Sequence, residues 1–140
     1  MENLLARALF GIPAVKGVEF GRGFAASELR GSQNNDPYRM REGRPRPVTN
    51  NAGGILGGIT TGAPVVVRVG VKPTPSIAAP QRTVDLATLE DAELAVRGRH
   101  DPCVAVRAVP VVEALCALVV LDAWLSYPPE PAPAATARHD

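Results

Sequence analysis

Residues able to do chemistry are concentrated in two stretches. The first reads TNNAGGILGGITTGAPVVVRVGVKPTPS, from Thr49 to Ser76. Its glycines (Gly53, Gly54, Gly57, Gly58 and Gly62) let the backbone take positive φ and approach a ligand closely. N–H groups exposed in such a loop can cradle an anion. The stretch ends in Lys72-Pro73-Thr74-Pro75-Ser76, where two prolines stiffen a segment bearing an ammonium and two hydroxyls. That chemistry suits a phosphorylated ligand. The second stretch is Gly98-Arg99-His100-Asp101-Pro102-Cys103. Arg99 can grip a phosphate bidentately. Asp101 can act as a base or accept a hydrogen bond from a ring N–H.

Plainer readings stand beside these. The glycine spacing is GG-xx-GG-xxx-G after a polar segment, which fails the dinucleotide fingerprint. The phosphate-loop pattern fails too, because Ile59 stands where its lysine belongs. The glycines could instead serve a hinge or a tight packing site, and KPTPS could be an ordinary surface loop. His100, Asp101, Cys103 and Cys116 lack zinc-finger spacing and a second ligand pair, so no metal is expected. His100 then reads as a structural hydrogen-bonder. His139 lies in the C-terminal tail, and no Ser/His/Asp arrangement or G-x-S-x-G occurs.

The 140 residues fit one domain, and 46% hydrophobic content supplies a core that 4% aromatics make aliphatic. A net charge of +1 gives no electrostatic case for nucleic acid or an anionic membrane. Only Lys16 and Lys72 are lysines among 15 basic residues, which makes Lys72 distinctive. Two cysteines form no disulfide framework, and a reduced, cytoplasmic setting is expected. The N-terminus lacks a basic region and a cleavage site, so it does not read as a signal peptide.

Several elements must position these groups. Glu2–Phe10 has a helical apolar face, closed by Gly11 and Pro13. Residues 14–20 read as a strand, and 24–29 as a short helix or an extended piece. Residues 31–51 are polar, with Arg39, Arg41, Arg44 and Arg46, and read as a long mobile loop. Strands are expected at 64–71, 82–86 and 93–96, with 104–109 extending the sheet. Pro110 should then open an apolar helix running to Leu125, buried between two layers rather than spanning a membrane. Residues 127–140 form a Pro/Ala-rich tail, expected to be disordered.

In order, IPAVKGVEFGRGF, RGSQNND, TNNAGGILGGITTGAPV, KPTPSI, QRTVD, GRHDPC and RAVPVVEALCALVVLDAWL resemble the C-terminal part of chorismate synthase over residues 2–126. The resemblance implies an α+β fold, part of a β-α-β sandwich with an antiparallel sheet and a buried apolar helix. It implies a lyase that forms chorismate from 5-enolpyruvylshikimate 3-phosphate by 1,4-elimination of phosphate, in aromatic amino-acid biosynthesis. The cofactor would be reduced FMN, which lends electron density transiently as phosphate leaves. NADPH would supply the reduction, through the same protein or a separate flavin reductase. Homotetramers are usual in the family.

Carried over by motif, the flavin contacts would be Ala14 in IPAVKG, Gly57 in GGILGG, the run Lys72, Pro73, Thr74, Pro75 and Ser76, and Arg99 in GRHD. Asp101 would be the catalytic carboxylate near flavin N5. The family's GESHG-like start, its RPGHAD-like motif and its two catalytic histidines do not occur in these 140 residues. The expectation is therefore a partial sequence or a shortened gene product, inactive alone and with apolar surface uncovered around residues 110–125. Two alternatives carry different functions: a non-catalytic FMN- or phosphate-binding remnant, and an interaction module whose arginines 39–46 bind an acidic partner.

Overall fold

The computed structural model describes residues 1–99 and 103–128. The expected tail from residue 129 onward lies outside the described residues. The elements are helix α1 (Glu2–Phe10), strand β1 (Val15–Phe20), a 3-10 turn (Gly23–Glu28), the short helix α2 (Gly31–Asn34), strands β2 (Tyr38–Arg41) and β3 (Arg44–Pro47), β4 (Ile55–Leu56) and β5 (Ile59–Thr60), β6 (Val67–Val71), β7 (Gln81–Asp85) and β8 (Glu90–Leu94), and the long helix α3 (Ala105–Ser126). All pairings among the described residues are antiparallel and two-stranded: β1–β6, β2–β3, β4–β5 and β7–β8. The class is α+β.

The core forms where β1–β6 meets the two long helices. Leu9, Ile12 and Val15 are buried, with Val67, Val69 and Val71 of β6 and Val112, Leu115 and Cys116 of α3 packed against them. In β6 the valines alternate inward while Arg68 and Gly70 face out, the period of two that a strand imposes. β1 breaks this alternation, since Val15 and Val18 both pack on the core although three residues apart. The ladder explains how. Val15 pairs with Val71 but Gly17 with Gly70, so a β-bulge at Lys16 resets the phase. On the outer face Glu19 opposes Arg68, whose Nε donates to Glu19 Oε1 at 2.7 Å. The Arg68 hydrogen bond, followed by one from Phe24 N–H, holds the Glu19 carboxyl below its ordinary range.

Residues 31–51 are not the unstructured loop expected from their polarity. They form α2 and the β2–β3 hairpin, joined by Glu42 and Gly43 at φ 51° and 73°. Two successive positive-φ residues make the mirror-image turn that matches strand twist. Pro45 and Pro47 alternate with Arg44 and Arg46, so their missing N–H groups fall where an edge strand faces solvent. The expected strands moved modestly: 64–71 begins at Val67, and 93–96 lies at Glu90–Leu94.

Residues 104–109 are not strand. α3 begins at Ala105, so Pro110 lies inside the helix rather than in its first turn. Ala105, Arg107 and Ala108 are strong helix formers and carry the valines with them. The expected burial of this helix is also corrected, because none of its residues is buried. It is 22 residues long, and an 18-residue window within it has a mean hydropathy of 2.0, which by length and composition would suffice to cross a membrane. The core meets α3 at the stripe of Val112, Leu115 and Cys116, with Val119 and Ala123 half-buried further along the helix. Leu118, Leu121, Trp124 and Leu125 remain exposed.

This balance gives a first prediction. Leu9 has no exposed surface, so Leu9→Ala should cost about 2–5 kcal/mol. A core of five buried hydrophobic residues leaves little margin for that loss. The variant should lose cooperative urea unfolding, whereas Leu121→Arg on the open face of α3 should keep the wild-type midpoint and reduce binding of a hydrophobic dye.

Candidate functional site

The turn entering β1 is the most constrained point among the motif residues. Val15 N–H donates to Ile12 C=O at 3.2 Å, closing a four-residue turn with Pro13 second and Ala14 third. Ala14 has φ 72°. A type II turn wants glycine at that third position, and an alanine there is strained by roughly 1–2 kcal/mol. The Ala14 carbonyl accepts the Lys72 N–H at 2.8 Å, so the strained turn is tied to the end of β6. The bulge sets Lys16 at this same end of the ladder, with its side chain exposed. Sequence reasoning passed over Lys16, and the only available signal was the broken alternation of residues 14–20.

Beyond Lys72 the chain is stiff and partly covered. Lys72, Pro73 and Pro75 are exposed, while Thr74 and Ser76 are half-buried. The Pro75 carbonyl accepts a weak hydrogen bond from Gln81 Nε2 at 3.4 Å. Thr74 Oγ1 is buried and has no hydrogen-bond partner. A buried hydroxyl left unpaired is unfavourable by about 1–3 kcal/mol. Arg99 is exposed, and Asp101 lies outside the described residues.

The glycine stretch is resolved into separate tasks. Gly57 and Gly58, at φ 57° and 81°, are the two-residue turn between β4 and β5. A Cβ at either would meet open space. Gly53 instead lies against Gly21, where added side chains would collide with the opposing backbone. The N–H groups of Gly53 and Gly54 are already spent on the backbone oxygen and side chain of Asn50, at 3.2 and 2.7 Å. They are therefore not free to cradle an anion. Packing glycines and a hairpin turn together account for the pattern that failed both nucleotide fingerprints.

Asp36 holds this region in place. Its carboxylate accepts from Thr49 Oγ1 and Asn51 N at 2.7 Å and from Ala52 N at 2.8 Å. Desolvation, the largest single influence, pushes its pKa up. The hydrogen bonds and the Arg22 charge together outweigh it and leave the pKa lowered from 3.8.

Gly57 and Lys72 are not brought together. Val66 N–H donates to Gly53 C=O at the start of β6, and Lys72 follows its other end. Gly58 C=O accepts from the Met1 amine at 2.8 Å, at the N-terminal end of α1, whereas Ala14 follows its C-terminal end. Five residues of strand span about 17 Å. An apolar cleft of ≈ 500 Å³ lies at the Gly58 end, lined by Leu4, Ile59, Val120 and Trp124 among others. Ala14, Lys72, Thr74 and Arg99 do not line it.

A family model for chorismate synthase matches residues 1–125. The chain belongs to the chorismate synthase family. A chorismate synthase from Archaeoglobus fulgidus is 59% identical over 125 residues, covering 89% of this chain and 35% of that protein. One from Thermococcus gammatolerans is 61% identical over 122 residues, covering 87% and 34%. A crystal structure of chorismate synthase superposes with a TM-score of 0.65 at 37% identity, over 89% of this chain and 30% of the solved one. The chain thus spans about a third of the length of the relatives it matches.

The Asp36 anchor makes a pH prediction. Its folded pKa is depressed, so its contribution is full above the unfolded value of 3.8 and is lost as pH falls through the folded value. Amide exchange at Asn51 and Ala52 should therefore accelerate on acidification from about pH 5 to below pH 3.8, relative to Val69 as an internal reference. Asp36→Asn should show the faster exchange already at pH 7.

Proposed function

We propose that this chain supplies flavin-facing residues of a chorismate synthase. In that reading 5-enolpyruvylshikimate 3-phosphate loses phosphate to give chorismate, in a cytoplasmic step of aromatic amino-acid biosynthesis. The observation that carries the reading is Thr74 Oγ1, buried and partnerless within the motif that the resemblance assigns to FMN. Such an atom fits a ligand rich in hydrogen-bonding groups. Lys72 and Ser76 flank it with an ammonium and a second hydroxyl, on a segment whose two prolines limit the ordering cost of binding.

Reduced FMN, when bound, supplies the electron density that lets phosphate leave. The roles of the chain's own residues are binding and positioning. The Ala14 turn and the Lys72 N–H lock the start of the KPTPS segment. Thr74 and Ser76 offer hydroxyls to the polar edge or phosphate of the flavin. Lys72 and Arg99 offer cations, with Arg99 able to make two parallel hydrogen bonds to one anionic group. Asp101 is assigned the proton balance at flavin N5. Gly57 would offer the open backbone turn of the separate β4–β5 hairpin. Relatives three times as long would supply the remaining walls and the family's tetramer, with the flavin reduced by NADPH through the same protein or a separate flavin reductase.

Titration of the 140-residue chain with reduced FMN, followed by flavin fluorescence, tests this. Weak saturable binding is expected, lost in Lys72→Ala and tightened by 5-enolpyruvylshikimate 3-phosphate. Robust turnover by the chain alone would contradict the division of labour. Thr74→Val gives a sharper readout. Removing a partnerless buried oxygen should leave the free chain as stable or up to about 1–2 kcal/mol more stable, while FMN binding weakens several-fold. If stability falls and FMN affinity is unchanged, Thr74 is a structural residue.

A further inference from the structure

The β2–β3 hairpin carries a charge pattern that the flavin reading does not use. Its register sets Arg39 opposite Arg46 and Arg41 opposite Arg44. Side chains alternate along each strand, so the four arginines leave one face and Tyr38, Met40, Pro45 and Pro47 the other. Opposed pairs are about 5 Å apart at Cα, and the two tiers are about 6.8 Å apart along the strands. All four arginines are exposed. Like charges directly across a ladder repel, and an anion between them relieves the repulsion. Among the described residues the one ion pair is Glu19–Arg68, and Arg46 makes a single hydrogen bond, to Gly62 C=O at 3.2 Å.

The geometry selects the class of anion. The face is an open hairpin, and none of its arginines lines either apolar cleft, whereas small ligands favour concave sites. The hairpin's one aromatic, Tyr38, lies on the opposite face, so there is no stacking platform for single-stranded nucleic acid beside the arginines. An extended acidic strand fits better, because carboxylates two residues apart repeat at the same spacing of about 6.8 Å. The chain contains such a strand. Glu90, Asp91 and Glu93 are exposed on β8, with Asp91 and Glu93 on one face and Asp85 opposite Glu90 at the turn. Arg82 opposes Glu93 but forms no ion pair with it.

We propose that the arginine face of β2–β3 docks the acidic β7–β8 hairpin of a second copy of this chain. The contact is heterologous, so each copy offers one arginine face and one acidic face. It is electrostatic in origin and therefore weakens with salt. It stands independently of FMN binding.

Sedimentation of the full 140-residue chain at about 50 mM and about 500 mM NaCl reads it out. The average mass should fall as salt rises. A variant with Arg39, Arg41, Arg44 and Arg46 all changed to Glu should lose the salt-sensitive component, as should Asp91→Lys/Glu93→Lys. Mixing the two should restore it, because the unchanged acidic face of one then meets the unchanged arginine face of the other. The milder Arg41→Gln/Arg44→Gln, which keeps the hairpin turn intact, should weaken the association about tenfold. Association that ignores salt, as contact through α3 would, overturns the proposal. So does a mixture that fails to recover while the Gln variant associates like wild type. Tighter binding of a single-stranded oligonucleotide than of a second copy would assign the arginines to nucleic acid instead.

Discussion

Val15–Phe20 and Val67–Val71 are far apart in sequence, and their antiparallel ladder is the contact on which the other elements depend. One end ties Ala14 to Lys72, and the other brings Gly21, Val66 and Gly53 into mutual hydrogen bonding. Closing so long an insertion carries an entropic cost that grows only slowly with length. The inward valines of β6, covered by α1 and α3, offset that cost. The insertion between the strands is consequently not a free loop. It is pinned at Asn51 by Arg22 and at Asn51 and Ala52 by Asp36.

That ladder also explains why the glycines sit where they do. Backbone meets backbone at Gly21 and Gly53, with no room for a Cβ. The two-residue turn at Gly57 and Gly58 then projects β4–β5 toward the start of α1, where Gly58 C=O meets the Met1 amine. A glycine cluster that suggests one loop in sequence thus does two unrelated jobs in space. Backbone strain lies instead at a non-glycine residue. Ala14 keeps a methyl group at a positive-φ position that glycine would fill without strain, and its carbonyl accepts the Lys72 N–H.

Much of the fold was legible because its signals were local. Glu2–Phe10 has an apolar face and a proline stop, and its observed bounds match the pattern. Motif order carried the family further than any single spacing could, since each motif alone was ambiguous. What was not legible depended on pairing. The bulge at Lys16 shows only once Val15 and Gly17 find Val71 and Gly70. The β2–β3 hairpin was hidden because its strands are charged and proline-bearing, without the apolar alternation that marks a half-buried strand. The Glu42-Gly43 turn was its one local sign. The Thr74 hydroxyl illustrates the same limit for the site: composition supplies the group, but only the packing around it shows that it lacks a partner.

α3 carried two expectations, burial between layers and apolar surface left uncovered around residues 110–125, and the structure shows the second. A helix apolar on nearly every side is the pattern of one covered on nearly every side, and the sequence said so correctly. Here one stripe meets α1 and β6, and the rest faces solvent. The pattern therefore describes a larger packing environment than these residues provide. The relatives are about three times as long, and this chain aligns to about a third of each. Glu113 and Asp122 fit this account better than a membrane span, since two acids at full depth in lipid are costly, whereas at a protein interface they can sit on the rim. The clefts along α3, lined by Leu4, Leu5, Val120 and Trp124, mark where the helix diverges from α1. One of them abuts the Gly58 turn, so whatever covers α3 also completes the wall beside that end of the layer. The apolar area that limits this chain's stability therefore lies along α3, beside the Gly58 turn and apart from Ala14, Lys72 and Thr74.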